Sequence, residues 1–141
     1  MSLHVEIDFE TRSDVDLTTR GAHAYFESPH AAVLIGSYRI DEGPIQHWQR
    51  GEPYPPALAG AIKAGATISA HNAGFEALCF DWLHKYAGWP LPRIEQFRCT
   101  AATAAATPFR TVSGAMIAMT VGANAAVTGS IADGCRIRIV D

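Results

Sequence analysis

The first strand-length segment of the chain constrains its fold more than any other. Leu3, Val5, Ile7 and Phe9 alternate with His4, Glu6, Asp8 and Glu10. Successive side chains of a strand point to opposite faces, so one face of this segment is apolar and the other carries acids and a histidine. The pattern predicts a strand packed on a core through one face only.

At 141 residues the chain has the size of one domain and can bury a core without a disulfide or zinc staple. Apolar residues at 48% and charged residues at 18% exclude a disordered chain. A net charge of −3 excludes a purely electrostatic clamp on nucleic acid, which needs a basic excess. It does not exclude an enzyme whose bound cations supply the local positive charge. Cys79, Cys99 and Cys135 show no C-x-x-C spacing. They predict neither a disulfide framework nor a zinc site, and they fit a cytoplasmic, reducing setting. No signal segment is visible at the start. The Ala-rich stretch after Cys99 is broken by Pro108, Arg110 and several glycines, so no membrane span is expected.

Further along, 14–25 reads as a loop with a short helical turn before Pro29. The Val, Leu, Ile and Tyr of 32–40 predict a second strand, the Asp41-Glu42-Gly43-Pro44 turn a hairpin, and 45–49 its return strand. Pro53 to Pro56 opens a helix that Gly65 ends. A short apolar strand over 66–70 leads to Asn72, a suitable N-cap. From Ala73 the spacing of Phe75, Leu78, Cys79, Trp82 and Tyr86 is helical, and Gly88 and Pro90 stop it. Helices are expected over 97–107 and 111–121, and a brief strand over 135–140. This order predicts an α/β domain: a hairpin-led mixed sheet, three antiparallel strands plus a parallel strand, flanked by helices.

Two acidic positions could carry chemistry. Asp8 and Glu10 share a face at the C-terminal end of the first strand, where oxygen ligands on a rigid element suit a hard cation. Glu76 falls in the first turn of a helix that follows a strand, a position favoured by the helix dipole. Each has an ordinary explanation when taken singly. Acidic pairs are common on exposed strand faces, and an acid beside a capping Asn is common helix chemistry.

As a set, the motifs Asp8-Phe9-Glu10-Thr11-Arg12-Ser13 and His71-Asn72-Ala73-Gly74-Phe75-Glu76 resemble the first two motifs of a known family. It is that of the four-carboxylate 3′→5′ exonucleases, most closely the proofreading domain of phage-type DNA polymerases. The resemblance runs from Leu3 to Val121 and includes Cys99-Thr100-Ala101-Ala102. It implies a ribonuclease-H-like fold and hydrolysis of single-stranded DNA from its 3′ end with two Mg²⁺ or Mn²⁺ ions. By resemblance Asp8, Glu10 and Glu76 are the catalytic metal ligands. Asp8 bridges both ions, Glu10 helps hold the ion that carries the attacking water, and Glu76 serves the second. Thr11, Asn72 and Phe75 are the substrate-binding candidates, with Phe75 doing more packing than chemistry. Phe26, Trp48 and Trp82 are aromatic groups on which a base could stack, and each also reads as core or general surface.

The third motif of that family, Tyr or His four residues before an Asp on a late helix, is absent. Asp133 is preceded at that spacing by Gly129, Asp141 by Ile137 and Asp81 by Ala77. The chain therefore divides into an exonuclease-like domain over 1–124 and a diverged or truncated tail over 125–141. Loss of one anionic ligand weakens cation binding and the positioning of water. The expectation is a weak or inactive exonuclease, a truncated part of a phage DNA polymerase whose polymerase domain is missing from this chain. The alternative is a non-catalytic ribonuclease-H-like module that binds nucleic acid or a protein. A third reading is a relative acting on RNA.

Overall fold

The structure, a computed structural model, describes residues 2–106, 126–130 and 136–140. Strand β1 (His4–Arg12) is followed by α1 (Leu17–Glu27), β2 (Ala32–Ile40), β3 (Gln46–Gln49) and α2 (Pro56–Lys63). Then come β4 (Thr67–Ala70), α3 (Ala73–Ala87), a 3₁₀ turn at Ile94–Gln96, β5 (Phe97–Cys99) and α4 (Thr100–Ala106). β6 (Ala126–Ser130) and β7 (Arg136–Val140) pair antiparallel as a separate ribbon.

β1 is the centre of a five-stranded sheet of order β3-β2-β1-β4-β5. Its pairings with β2, and of β2 with β3, are antiparallel; β1 with β4 and β4 with β5 are parallel. This is the α/β mixed sheet flanked by helices that the sequence predicts, and it is compatible with a ribonuclease-H-like fold. It carries one parallel strand more than expected. Phe97–Cys99 was assigned to a helix by its sequence, but it pairs with β4 and the helix begins only at Thr100. The second correction is α1, where the sequence predicts a loop. Asp16 caps it by accepting from the amides of Thr18 (2.8 Å) and Thr19 (3.2 Å), and the chain kinks at Gly21, φ +81°. The helix predicted over 111–121 lies outside the described residues.

The alternation in β1 sets the layers. Val5, Ile7 and Phe9 are buried, and Phe9 meets Phe80 of α3 edge-on with centroids 5.3 Å apart. Trp89 closes this core against Phe9 (6.2 Å) and Trp48 (5.0 Å). Helix ends follow sequence chemistry. After α2, Gly65 takes φ +86°, its amide donates to the Ile62 carbonyl, and that of Ala66 donates to the Ala61 carbonyl, each at 3.0 Å. Buried Gln96 then staples this end to β5. Its Nε2 donates to the carbonyls of Ile62 (3.1 Å) and Ala66 (2.9 Å). On the opposite face of the sheet His4, Glu6, Asp8, Ser37, Arg39 and His71 line an open cavity of about 370 Å³. Cys79 is a buried free thiol. Among the described residues no helix is long and apolar enough to cross a membrane.

Candidate functional site

β1 pairs with β4 only as far as Glu6 opposite Ser69, yet runs on to Arg12. After Ala70 the chain leaves the sheet through His71 and Asn72 and starts α3. Beyond Glu6 the β4 side of β1 therefore has no strand neighbour. Crevices at the C-terminal ends of parallel strands are where open α/β sheets receive ligands.

Local chemistry fixes how α3 begins. Asn72 is its N-cap as the sequence predicts, its side-chain oxygen accepting from the Phe75 amide at 3.4 Å. Its main-chain carbonyl accepts from the amides of Phe75 (2.9 Å) and Glu76 (3.2 Å). The cap sets the helix phase, and that phase turns Glu76, Cys79, Phe80 and Leu83 inward.

Glu76 is only 4% exposed, an uncommon state for an acid. Burial is the largest influence on its carboxyl, raising the pKa from 4.5 to about 7. Its own amide pulls the value down, the charge of Asp8 pushes it up, and the Phe9 amide pulls it down. Helix α3 packs on β1, where Phe80 meets Phe9. Glu76 Oε2 is buried and has no hydrogen-bond partner among the described residues. Behind it, burial and the charges of Glu76 and Asp8 push the Cys79 thiol far up, which makes it inert.

Asp8 is exposed, opposite Ser37 on β2. Glu10 is also exposed, opposite Ile35. Directly after it the register slips, since Thr11 lies opposite Val33 and Leu34 is the extra residue of a bulge. Bulges of this kind re-aim side chains. Among the described residues no three His, Cys, Asp or Glu groups converge closely enough to hold a metal ion. Asp8 and Glu10 thus lie exposed on one face of β1, Glu76 is buried on α3 within reach of the charge of Asp8, and the three form no closed cluster among the described residues.

For a divalent cation the observation that bears on fit is the buried, orphaned oxygen of Glu76, a carboxyl that feels the charge of Asp8. A buried carboxylate beside another acid, with no donor on one oxygen, stays protonated or is balanced by a cation. An all-oxygen donor set suits Mg²⁺ or Mn²⁺.

The other site residues read from the sequence surround this pair along the chain. The Thr11 hydroxyl is hydrogen-bonded to that of Tyr25 at 2.9 Å, and Ser13 Oγ donates to the Tyr25 carbonyl at 2.9 Å. Phe75 is half-buried, with its ring 5.2 Å from Phe26 and 6.1 Å from Tyr25. Asn72 is exposed. Tyr25, which holds Thr11 and packs beside Phe75, is the residue that sequence reasoning missed. Its signal was Asp16, a legible N-cap for α1.

Comparison with known proteins finds similarity to a phage DNA polymerase. The chain is 34% identical over 100 residues to a DNA polymerase of Bacillus phage SP02, a match covering 69% of this chain and 15% of that protein. The chain therefore spans about 15% of the length of the curated relative it matches. A family B DNA polymerase from the hyperthermophilic archaeon Pyrobaculum calidifontis aligns in structure over 83% of this chain and 14% of its own. The TM-score there is 0.39 and the identity 16%. No protein-family model matches the chain.

Proposed function

We propose that this polymerase-related chain is a metal-dependent 3′→5′ exonuclease domain that removes nucleotides from the 3′ end of single-stranded DNA. The observation that carries the reading is the orphaned, buried carboxylate oxygen of Glu76, a group that feels the charge of Asp8. It sits at a strand-to-helix junction in a chain similar to a phage DNA polymerase.

In this reading Asp8, Glu10 and Glu76 hold the metal, Mg²⁺ or Mn²⁺. Bound there, such ions would lower the pKa of a water and neutralise charge on the leaving 3′-oxygen. The chain's own residues then position the substrate. Asn72 and Phe75 flank the first turn of α3, and Thr11, held by Tyr25, follows Glu10 on β1. Water oxygen bonds to phosphorus, the bond from phosphorus to the 3′-oxygen breaks, the proton lost by the water ends on that 3′-oxygen, and a nucleoside monophosphate leaves. A polymerase domain encoded elsewhere in the gene product is the partner this reading implies.

The test is a 5′-labelled single-stranded oligonucleotide incubated with the chain and Mn²⁺. Shortening by single nucleotides, abolished by chelator and by Asp8→Ala, is the expected result. Parallel DNA and RNA oligonucleotides decide the sugar. An unshortened substrate, together with a melting curve that Mg²⁺ and Mn²⁺ leave unmoved, would refute the reading.

Two observations favour a second reading, a non-catalytic module that binds nucleic acid or a protein. The described residues close no three-group metal cluster, and the sequence has no third motif. Oligonucleotide binding without hydrolysis, indifferent to metal, would be its signature.

A further inference from the structure

The C-terminal half of α3 borders a second cleft, of about 710 Å³, lined by Ser28, Trp48, Arg50, Glu52, Trp82 and Tyr86 among others. We propose that this cleft is a second contact for single-stranded nucleic acid, gripping the strand several nucleotides away from the end received at Asp8 and Glu76. The proposal rests on the functional reading above and adds a binding surface to it.

The periodicity of α3 links the two places. Phe75, Trp82 and Tyr86 stand seven and eleven residues apart, so they share one face of the helix. From Glu76, Trp82 lies roughly 9 Å and Tyr86 roughly 15 Å farther along the axis. An aromatic track therefore starts beside the carboxylates, where Phe75 meets Phe26, and ends in the cleft with Trp82 and Tyr86, whose centroids are 5.0 Å apart. Tyr86 is 60% exposed, which is high for a large ring with no solvent-facing duty.

Charge sits on the same track. The Arg50 guanidinium lies 5.8 Å from the centroid of Trp82, and the Lys85 ammonium 4.9 Å from that of Tyr86. Neither cation makes an ion pair among the described residues. The acid on the β3–α2 loop is tied to the backbone rather than to either cation: Glu52 Oε2 accepts from the Gln49 amide at 2.8 Å. The Trp48 indole donates to the Glu52 carbonyl at 3.0 Å, which pins the loop that carries Arg50. Exposed rings stack on bases of any sequence, and cations beside them meet the phosphates. Arg50 and Lys85 thus stand beside half-buried Trp82 and exposed Tyr86, where they can meet phosphates of a strand whose bases stack on these rings.

The experiment is fluorescence anisotropy with end-labelled oligothymidylates, short (about 3 nucleotides) and long (about 12 nucleotides), under chelation and with Ca²⁺. Tyr86→Ala and Arg50→Ala should each weaken the long oligonucleotide by about tenfold and leave the short one unchanged. Tyr86→Phe should restore affinity, and Arg50→Ala should also flatten the salt dependence. Unchanged long-strand affinity in both variants overturns the proposal, as does a wild-type chain that binds neither oligonucleotide. A change of oligomeric state in the variants, with oligonucleotide binding intact, would assign the cleft to a second copy and equally overturn it. Asp8→Ala separates the two readings. If it alters neither short-strand binding nor the response to Ca²⁺, while Tyr86→Ala still weakens the long strand, the carboxylate reading fails and the cleft stands.

Discussion

Glu76→Gln should make the metal-free chain more stable at alkaline pH, because the native acid is held where its charge is unwelcome. Its carboxyl is raised from 4.5 to about 7, chiefly by burial, with the charge of Asp8 adding to it. Between those values the folded chain keeps the proton that the unfolded chain has released. Stability from this group is therefore fully present below pH 4.5 and is lost as pH rises to about 7. A shift of this size corresponds to ~3 kcal/mol, a large share of a small domain's stability.

Glutamine copies the shape of the protonated acid and does not titrate, so its variant should lose this slope. In urea denaturation under chelation, the two proteins should be similar near about pH 5. By about pH 8 the variant should be ahead by up to ~3 kcal/mol. A constant difference between them across that window would refute the reasoning, because it would mean that Glu76 is ionised throughout and is better solvated than its burial indicates.

The other predictions concern the frame around the pair. Gly36 lies opposite Phe9, and a Cβ there would sit 2.8 Å from the Phe9 ring, which Phe80 and Trp89 hem in. Gly36→Ala should cost ~1–3 kcal/mol by overpacking, read from the urea midpoint at unchanged slope. Asn72→Ala should cost ~1 kcal/mol by removing the α3 cap, and Asn72→Ser should recover most of it, both read by thermal melting.

Much of the fold was legible because local and tertiary demands agreed. The alternation of β1 survives intact, since the face that reads apolar is the face that meets α3. α3 was legible from Asn72 to Gly88, which takes φ +69° as a left-handed cap. What escaped was decided at a distance. Phe97–Cys99 is too short for its own periodicity to count, and only pairing with β4 makes it a strand. α1 has a polar surface and a non-helical Gly21 inside it, so neither pattern nor propensity announced it. At the candidate site, the residue types were readable but the burial of Glu76 was not. An acid in a first helical turn is normally solvated. Here it is enclosed because β4 ends short of β1 and leaves α3 to fill the gap.

The incomplete cluster carries its own consequence for metal binding. Mg²⁺ gives up its water reluctantly and is commonly held by one or two carboxylates together with substrate phosphates. In the proposed reading Asp8, Glu10 and Glu76 would supply the protein's part of such a shell. A strand end carrying phosphate would then complete what the chain alone leaves open. Linkage makes the effect reciprocal: metal should tighten the oligonucleotide by the same factor by which the oligonucleotide tightens metal. Calorimetric titration of Ca²⁺ with and without a short oligonucleotide measures both legs. Equal Ca²⁺ affinity in the two titrations would mean that cation and strand end do not share a site, and the pairing of Glu76 with Asp8 would then be a feature of the fold rather than of its chemistry.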